Sequence, residues 1–352
     1  MAELYAALPA SQGYAVPSAA IAPPMGLPSG AAPASYQGLL DRLHLASQTP
    51  PPAPALPLPP AASNLPSLPG LSGLFQELKA LLDRWLSPAA PSAPVPPPAP
   101  RSKKTDFVIS SFNVLGSSHT KPSGEKPGMA AGTTRIRSAV ELLDRHDVDV
   151  VGFQELQGDQ LKEFLKVAGD QYAVYPGFAL GKHETVNSLA WRKDTWDLVK
   201  PGSINIPYFD GHLRKMPVVL LRHRKTGQEA YFANFHNPAS TRKYGDQERW
   251  RDAATEKQIA MVNRLRRETG LPVFVTGDMN EREEYYDKMT RGAAMVSADT
   301  GPKGQRPRKM GIDWIFGSEG VKFSDYTQDR SALVKKTSDH PMIVSKARIT
   351  GS

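Results

Sequence analysis

The sequence has no cysteine, and this absence removes several kinds of chemistry. A disulfide framework, a thiol nucleophile and a zinc site with cysteine ligands are all excluded. The chain also lacks a run of about 18 apolar residues, so no transmembrane helix is expected. A basic segment followed by an apolar core is missing from the first residues, and a standard secretory signal is therefore not expected. These absences leave a cytoplasmic protein, export by a non-standard route, or a place in a larger assembly as alternatives.

Acidic residues are too few to balance the basic ones, and the formal net charge is +8. The charged side chains of residues 1–100 sum to −1, so residues 101–352 carry +9. A basic globular part suggests an anionic partner, either nucleic acid or an anionic membrane surface. The alternative is a soluble basic protein without such a partner, which charge alone does not exclude.

Proline divides the chain into two parts. Residues 1–100 hold 22 of the 33 prolines, and alanine, serine and leucine fill most of the remainder. This composition cannot form a packed core, so residues 1–103 are predicted to be a low-complexity region that is largely disordered or polyproline-like. Residues 104–350 are predicted to form the catalytic domain.

One segment of the proline-rich region differs from its surroundings. Between Leu71 and Leu86, leucines, Phe75 and Trp85 recur at helical spacing on one face, which predicts an amphipathic helix. Its apolar face must be buried somewhere. The sequence leaves open whether it docks on the catalytic domain, pairs with another chain or binds a protein partner, and docking or self-association is favoured.

From residue 104 onward, apolar strands alternate with amphipathic helices, which predicts one α/β domain. Several strands are apolar throughout, so both faces of their sheets should be covered. The predicted strands are 107–112, 148–153, 172–175, 188–192, 216–223, 230–235, 272–276, 311–316 and 342–347. The predicted helices are 134–146, 160–167 and 251–269.

Polar residues suited to catalysis stand at the ends of these strands. Each of them alone is better explained as a turn, capping or core residue. So many of them beside strands are difficult to explain by chance. They are Asn113, Glu155, His236, Asp278, Asn280, Asp313, Asp339 and His340.

The segment Phe274–Glu281 shows this arrangement most clearly. An apolar strand ends in Thr-Gly, and Asp278 and Asn280 follow two residues apart. In an extended segment their side chains would point to the same side, where two oxygens could face a cation or a water. The alternative is a turn that caps the next helix, since both residues favour turns.

At these motifs the sequence resembles the endonuclease/exonuclease/phosphatase superfamily, which includes DNase I, AP endonucleases, neutral sphingomyelinases and inositol-polyphosphate 5-phosphatases. The motifs FN, QE, the strand-end histidine, GDMN, IDWIF and SDHP occur in the family's order between Asp106 and Ile349. The resemblance implies a four-layer αββα sandwich in which two sheets pack face to face. It also implies an active site at one edge, where loops from both sheets meet.

The resemblance further implies a divalent metal ion. Glu155 is the expected ligand, with Asn113 beside it and Asp339 completing the site. Oxygen ligands and the lack of cysteine favour Mg²⁺ or Mn²⁺ over zinc.

The remaining motif residues are expected to handle water, protons and phosphate. Asp278 resembles the carboxylate that positions or deprotonates the nucleophilic water, with Asn280 holding water or phosphate. His340 would contact a phosphate oxygen or act as acid or base, and Asp313 would fix its tautomer. His236 would lie on the other flank of the phosphate. Family members differ over the formal base, so these acid and base roles stay open.

Two details bear on the branch of the family. AP endonucleases carry a tyrosine at the position of His236, which argues against abasic-site repair. The runs SSFNVLGSSHT and HDVDVVGFQE look most like actinobacterial or phage members.

Asn187, which precedes a strand, is a candidate substrate-binding residue.

Three loops at the expected catalytic edge are rich in basic residues: 117–135, 237–251 and 299–311. Among them, Arg135, Arg242 and Lys243 are candidate substrate-binding residues. A basic rim beside a metal-dependent phosphodiesterase centre suits a nucleic-acid backbone; ordinary solvated loops are the alternative. The sequence therefore predicts a Mg²⁺-dependent DNA endonuclease of low sequence specificity, with DNA favoured over RNA.

Two other functions are kept as alternatives. A phosphodiesterase or phosphatase for phospholipids or inositol phosphates would need an apolar loop facing the membrane, and Ile204–Phe209 is the one short candidate. A non-catalytic scaffold would be expected to have lost Glu155, Asp278 or His340, and all three are present.

Overall fold

A computed structural model describes residues 104–300 and 305–350. The predicted low-complexity region 1–103, including the predicted helix Leu71–Leu86, lies outside the described residues. The strands are β1 (Lys104–Asn113), β2 (Val150–Gln154), β3 (Tyr172–Tyr175), β4 (Ser188–Arg192), β5 (Trp196–Lys200), β6 (Ser203–Pro207), β7 (Leu213–His223), β8 (Glu229–His236), β9 (Val273–Asp278), β10 (Val296–Ser297), β11 (Asp313–Gly317), β12 (Val321–Asp329) and β13 (Met342–Thr350). The helices are α1 (Gly132–Arg145), α2 (Gly158–Ala168), α3 (Glu248–Thr269), α4 (Glu283–Gly292) and α5 (Ala332–Thr337).

These strands form two mixed sheets. The first sheet has the strand order β12-β13-β1-β2-β4-β3, and the second has the order β10-β11-β9-β8-β7-β5, with β6 added alongside β7. In the first sheet β1 and β2 are parallel, and in the second β8 and β9 are parallel. The predicted strands therefore all exist, with ends that shift by a few residues.

The two sheets pack face to face through a layer of aromatic side chains. Phe107 of the first sheet contacts Trp196, Phe232 and Phe274 of the second, with ring centroids 5.1, 5.7 and 5.2 Å away. All four side chains are at most 4% exposed. Burying each of them contributes about 2–3 kcal/mol relative to exposure, so this layer is a main source of cohesion between the sheets.

Helices cover the outer face of each sheet. The face of α1 that carries Ile136, Val140 and Leu143 is buried, as its spacing predicts, and it packs in the same core as α2 and the first sheet. Helices α3 and α4 share a second outer core with β8 and β9. The expected four-layer αββα sandwich is confirmed.

A polar contact between the sheets lies near the carboxyl ends of β2, β8 and β9; we call Gln154, Asn234 and Thr276 the amide bridge. Gln154 Nε2 donates to Asn234 Oδ1 at 2.7 Å, and Thr276 Oγ1 donates to the same oxygen at 3.2 Å. Asn234 Nδ2 donates to the Phe153 carbonyl at 2.7 Å. Gly152 makes room for this contact, because a Cβ there would collide with Thr276.

No helix in the described ranges combines the length and the apolar character that crossing a membrane requires.

Candidate active site

The predicted polar residues meet at one edge of the sandwich because the parallel strands end there. In the register of β1 and β2, Asn113 pairs with Gln154, the residue before Glu155. In the register of β8 and β9, His236 pairs with Asp278. The carboxyl ends of parallel neighbours lie at the same edge, so each pair of strands delivers two functional residues together.

Two antiparallel strands bring further residues to this edge at their starts. Asp313, the first residue of β11, pairs with Asp278. The loop before β13 carries His340, and Ser338 Oγ fixes that loop by donating to the Asn113 carbonyl at 2.6 Å. Four strand ends and two strand starts therefore surround one point.

Asn113 connects the contributions of the two sheets. Its Nδ2 donates to Glu155 Oε1 at 2.9 Å and to Asp278 Oδ2 at 3.1 Å. Its Oδ1 accepts from the Leu115 amide at 3.0 Å. The buried amide thus holds two carboxylates side by side, and one lone pair of its oxygen is left for a further contact.

Asp278 lies at the centre of the cluster. It is 2% exposed, and its Oδ2 is 3.6 Å from Nε2 of both His236 and His340. Burial raises the pKa of Asp278, and the facing His236 only partly offsets this effect. A carboxylate with a raised pKa is a better proton acceptor near neutral pH than an ordinary aspartate.

The two histidines beside Asp278 differ in charge. Burial lowers the pKa of His340, but Asp313, Asp278 and Asp339 outweigh burial and raise that pKa to about 10. Burial lowers the pKa of His236, and the nearby carboxylates do not reverse this. At neutral pH His340 is therefore charged and His236 is neutral, a separation that assigns them different tasks.

Asp313 sets the orientation of His340. The Nδ1–H of His340 donates to the two carboxylate oxygens of Asp313 at 3.0 and 3.1 Å. The other ring nitrogen, Nε2, then points toward Asp278 and the open edge. This matches the orienting role expected for Asp313.

Glu155 has a strained backbone, and its surroundings favour the ionised form of its carboxyl group. Its φ angle of 61° lies in the left-handed region, which non-glycine residues seldom adopt outside functional sites. The Gly116 amide donates to Oε2 at 2.8 Å. Although burial raises the pKa of Glu155, contacts with His119, His236, Gly116 and Asn113 lower it well below the usual range. Glu155 is therefore ionised at any ordinary pH.

The loop after β1 places two cations on the carboxylates predicted to bind metal. His119 Nε2 lies 3.2 Å from Glu155 Oε2, and its Nδ1 lies 2.6 Å from Glu125. The hydrogen bond with Glu155 raises the pKa of His119 to about 9. Lys126 Nζ lies 3.4 Å from Asp339. The sequence indicates a basic loop here, but these pairings depend on the fold and could not be predicted.

Tyr208 is a residue of the site that sequence reasoning assigned to an apolar segment. Its ring centroid is 5.6 Å from that of His236. Burial raises the pKa of Tyr208, and the charges of Glu155 and Asp278 add to the rise. The hydroxyl therefore lies within electrostatic reach of both carboxylates.

The segment Asp278–Asn280 is a turn, and the expectation of an extended pair is wrong. The φ angle of Asn280 is 52°, and its amide donates to Asp278 Oδ1 at 3.0 Å. Asn280 Nδ2 donates to the Asn237 carbonyl at 2.9 Å, which ties the turn to the loop after β8. The segment is therefore bent, as the turn alternative expects, but it does not cap the next helix, because the N-cap of α4 is Arg282 and no described side chain caps it.

Arg135 does not extend into the rim as expected for a substrate-binding residue. It is 1% exposed, and its guanidinium donates to the carbonyls of Val114 at 2.6 Å, Leu115 at 2.6 Å, Thr337 at 2.7 Å and Ala130 at 3.0 Å. These contacts use the hydrogen-bond donors of the guanidinium, so Arg135 holds the loops next to Asn113 in place and has no donor left for a substrate.

Asn187 is buried at this edge without hydrogen-bond partners. It is 0% exposed, and neither Nδ2 nor Oδ1 has a partner among the described residues. The neighbouring Val186 carbonyl accepts from the Leu156 amide at 3.1 Å, next to Glu155. An unpaired buried amide costs about 1–3 kcal/mol, and a bound group could recover this energy.

The basic loops contribute unequally to the rim. Arg242 and Lys243 are exposed, as expected, and Lys243 Nζ lies 4.7 Å above the Tyr244 ring. Arg306 instead pairs with Asp287 at 3.0 Å. Lys303 lies outside the described residues.

The donors at this edge fit a divalent cation. Glu155 and Asp339 offer carboxylate oxygens, which suit a hard cation. The Asn113 oxygen accepts from the Leu115 amide, and it is the NH₂ group of Asn113 that faces Glu155. Asp278, Asp313 and His340 also bring three donor atoms within 4.8 Å of one another. The charged His340 ring faces that second group, just as His119 and Lys126 face Glu155 and Asp339, so a divalent cation would compete with a protein cation at either place.

Comparison with known proteins agrees with this geometry. Residues 110–340 match the family model described as the endonuclease/exonuclease/phosphatase family. No curated protein sequence matches.

Solved structures show the same fold at low identity. A family protein from Bacteroides thetaiotaomicron is 19% identical, with a TM-score of 0.54, 70% of this chain and 98% of that chain covered. The human nocturnin catalytic domain with bound sulfate is 17% identical, with a TM-score of 0.56 and coverages of 69% and 94%. The mannosyl-6-phosphatase Bt3783 of B. thetaiotaomicron is 19% identical, with a TM-score of 0.53 and coverages of 68% and 99%. The likeness to actinobacterial or phage members stays a prediction. With its motifs, its sandwich and its edge cluster in agreement, the chain belongs to the endonuclease/exonuclease/phosphatase family.

Proposed function

We propose that this protein is a divalent-metal-dependent phosphodiesterase that cleaves DNA internally with little sequence preference. The observation that carries the proposal is the surroundings of Asp278. This buried carboxyl group lies 3.6 Å from a neutral histidine on one side and 3.6 Å from a charged histidine on the other. A proton acceptor and a cationic donor are thereby held at one point, as hydrolysis of a phosphate ester requires.

Residues of the second sheet, together with His340 from the loop before β13 of the first sheet, perform the proton chemistry. Asp278 accepts a proton from the attacking water, and its raised pKa favours this role. His340 donates Nε2–H to a phosphate oxygen, while Asp313 holds the ring in that tautomer. His236, neutral at the opposite flank, accepts or donates a hydrogen bond at the leaving side. Asn280 holds the turn, and its amide side chain borders the phosphate.

The residues of the first sheet bind the cation and the substrate. Glu155, Asn113 and Asp339 would hold Mg²⁺ or Mn²⁺, which would neutralise charge on the phosphate. Asn187 offers a donor and an acceptor that no described residue uses. We assign it to the substrate phosphate or to the water that accompanies it.

The basic surroundings support a nucleic-acid substrate. Residues 101–352 carry +9, and Arg242 and Lys243 lie exposed on the loop after His236. The nocturnin catalytic domain, which has the same fold, was solved with a sulfate anion, and sulfate has the shape and charge of a phosphate group. Backbone phosphates would supply most of the affinity and little sequence preference.

The phospholipid alternative loses its structural basis. Its candidate membrane loop, Ile204–Phe209, has Ile206 fully buried and Ile204 packed against the core of the second sheet. The aliphatic side chains of this segment therefore cannot enter a bilayer. Bt3783 is described as a phosphatase, so a small phosphate ester is the substrate class to test next.

A plasmid-nicking assay tests the proposal. The full chain with Mg²⁺ is expected to convert supercoiled DNA to the open-circular form, and EDTA is expected to prevent this. The variant His340→Ala should lose at least about 100-fold in rate, because general acid–base groups contribute that much. The variant His146→Ala is the matched control, since His146 lies at the far end of α1 and pairs with Asp329.

Each outcome decides between substrates. Equal nicking by His340→Ala and the wild type would remove His340 from the mechanism. An absence of cleavage of both the plasmid and a single-stranded DNA oligomer, together with metal-dependent hydrolysis of bis(p-nitrophenyl) phosphate, would overturn the DNA assignment. Inositol phosphates and sugar phosphates would then be assayed with the same variants.

A further inference from the structure

Three aromatic side chains extend from the catalytic histidine to the surface; we call Tyr208, Phe209 and Tyr244 the aromatic shelf. The Tyr208 ring lies 5.6 Å from His236, and the Phe209 ring lies 4.6 Å from Tyr208. Phe209 and Tyr244 are stacked, with centroids 4.3 Å apart and planes at 22°. All three shelf residues are half-buried. The mechanism uses only the beginning of this row, near His236.

The shelf is built rigidly from two separate loops. Gln247, which is 2% exposed, bridges them. Its Oε1 accepts from the Asp210 amide at 2.9 Å, and its Nε2 donates to the Tyr244 carbonyl at 2.6 Å. Gly211 sits against the Trp250 ring with a φ angle of 80°, and a Cβ there would collide with the ring. The stacked pair is therefore held in place before any ligand arrives.

Cations surround the shelf. The Arg214 guanidinium lies 4.5 Å from the centroid of the Tyr208 ring, and Lys243 Nζ lies 4.7 Å from that of Tyr244. Arg242 is exposed beside them. Two exposed acidic side chains are also close and offset part of this positive charge: Asp210 Oδ1 accepts from Gln247 Nε2, and Asp246 Oδ1 accepts from the Glu248 amide.

These features select among possible occupants. A bilayer would require several exposed aliphatic side chains together, whereas Ile204 and Ile206 of the β6–β7 hairpin pack in the core and Leu213 stands exposed by itself at the start of β7. A duplex keeps its bases stacked on one another and unavailable to a protein ring. Arg214 lies over the Tyr208 ring and Lys243 over the Tyr244 ring, so among the described residues Phe209 is the shelf ring without a cation over it. Aromatic rings with cations beside them are a surface that single-stranded nucleic acid uses, with bases on rings and phosphates on cations.

We propose that the aromatic shelf stacks an unpaired nucleobase next to the cleaved bond, so that the protein prefers single-stranded or locally unpaired nucleic acid. The inference rests on the proposed phosphodiesterase function and names the form of its substrate. The row of rings begins at His236, so the base that reaches the Phe209–Tyr244 pair belongs to a nucleotide flanking the scissile phosphate.

Binding to oligomers with and without bases tests the shelf independently of cleavage. The full chain carrying His340→Ala is titrated into labelled twelve-residue oligomers, with fluorescence anisotropy as the readout. The probes are oligothymidylate, an oligomer of abasic units with the same phosphates, a DNA duplex, and oligouridylate. Phe209→Ala in that background should weaken binding of oligothymidylate about 5- to 100-fold, the range for one stacked base. Binding of the abasic oligomer should change less than about twofold.

Two companion variants separate stacking from other effects. Phe209→Tyr keeps a flat ring and should retain the preference for bases, whereas Phe209→Leu keeps only apolar volume and should lose most of it. Leu213→Ala, on the same hairpin and 60% exposed, should bind every probe as before. Thermal unfolding of each variant shows whether the domain is intact.

The results separate the shelf from the proposed function. Equal weakening on oligothymidylate and abasic oligomers, or equal binding of both by the parent protein, would overturn the shelf. Base-dependent binding by a protein that cleaves no DNA or RNA would support the shelf and overturn the nuclease assignment. Plasmid nicking without base-dependent binding would do the reverse. Comparison of oligothymidylate with oligouridylate shows which sugar the site accepts.

Discussion

The two sheets contribute opposite kinds of chemistry to one edge. The first sheet supplies Asn113, Glu155 and Asp339, whose carboxylates are met by backbone amides and cations. The second supplies His236 and Asp278, which lie among buried groups with shifted pKa values. In the proposed mechanism the carboxylates of the first sheet bind the cation, while residues of the second sheet move protons with the help of His340 from the loop before β13.

The largest expected effect comes from a substitution that removes the proton acceptor and leaves the proposed cation ligands unchanged. Asp278→Asn removes the proton acceptor while keeping the size of the side chain, and it should reduce kcat about 10²- to 10⁴-fold. Because the lost function is not metal binding, additional Mn²⁺ should not restore it. Asp197→Asn, a change at an exposed carboxylate on β5, is the control for nicking kinetics. Recovery of Asp278→Asn by metal would show that the two sheets do not divide the chemistry.

The next effect tests how the metal-binding side is supported. Arg135→Met leaves the carbonyls of Val114, Leu115 and Thr337 without their donor. Unpaired buried carbonyls should lower the free energy of unfolding by about 3 kcal/mol, measured by urea denaturation. Arg137→Met, on the exposed side of the same helix, should change it by less than about 1 kcal/mol. Similar losses in both variants would show that Arg135 is not a structural anchor.

A smaller effect separates cation binding from proton transfer. Glu155→Gln removes one negative charge but can still accept from the Gly116 amide. Mn²⁺ affinity, followed by calorimetry, should fall at least about tenfold, and raised Mn²⁺ should recover part of the nicking rate. The matched control is Glu163→Gln, because Glu163 lies on α2 and pairs with Arg137 of α1. Unchanged Mn²⁺ affinity would remove Glu155 from the ligands.

The smallest expected effect is on the free energy of unfolding; it comes from an ion pair at the first sheet and depends on pH. His146 Nε2 lies 2.8 Å from Asp329, and although burial raises the pKa of Asp329, contacts with His146 and Ser331 lower it below 3.8. Because the folded-state pKa is depressed, the stabilisation is present above pH 3.8 and is lost as the pH falls through the folded-state value. Asp329→Asn should cost under about 1 kcal/mol at pH 7. A difference from the wild type that persists at pH 2 would contradict this origin.

The sequence predicts the buried part of the fold better than its edges. Strands such as Val150–Gln154 and Val273–Asp278 are buried along their full length, and their apolar runs identify them. Strands β5 and β12 have mostly exposed or half-buried side chains, so no apolar run or clear alternation marks them. Helix α4 is strongly polar and buries only Tyr285 and Met289, so its sequence shows no clear apolar face and does not predict the helix.

The site shows the same limit. Residues at strand ends were predictable because each motif occurs within a few positions of an apolar run. The role of Arg135 depends on the Thr337 carbonyl, 202 positions away in the sequence, and a basic residue in a loop gives no sign of burial. The roles of Tyr208 and Lys126 likewise follow from chain segments that only the fold brings together.

The amide bridge has a consequence for how the two sheets keep their catalytic alignment. Apolar faces such as those of Phe107 and Phe232 attract each other without strong directional preference, so they permit small sliding movements of one sheet over the other. The hydrogen bonds that join Asn234 to the Gln154 side chain and to the Phe153 carbonyl cross between the sheets and are directional, so they would break on sliding; Thr276, in the same sheet as Asn234, holds the Asn234 oxygen in place. No chemical step is assigned to these three side chains. They nevertheless fix the position of one sheet relative to the other, and with it the spacing between the cation-binding and the proton-moving residues.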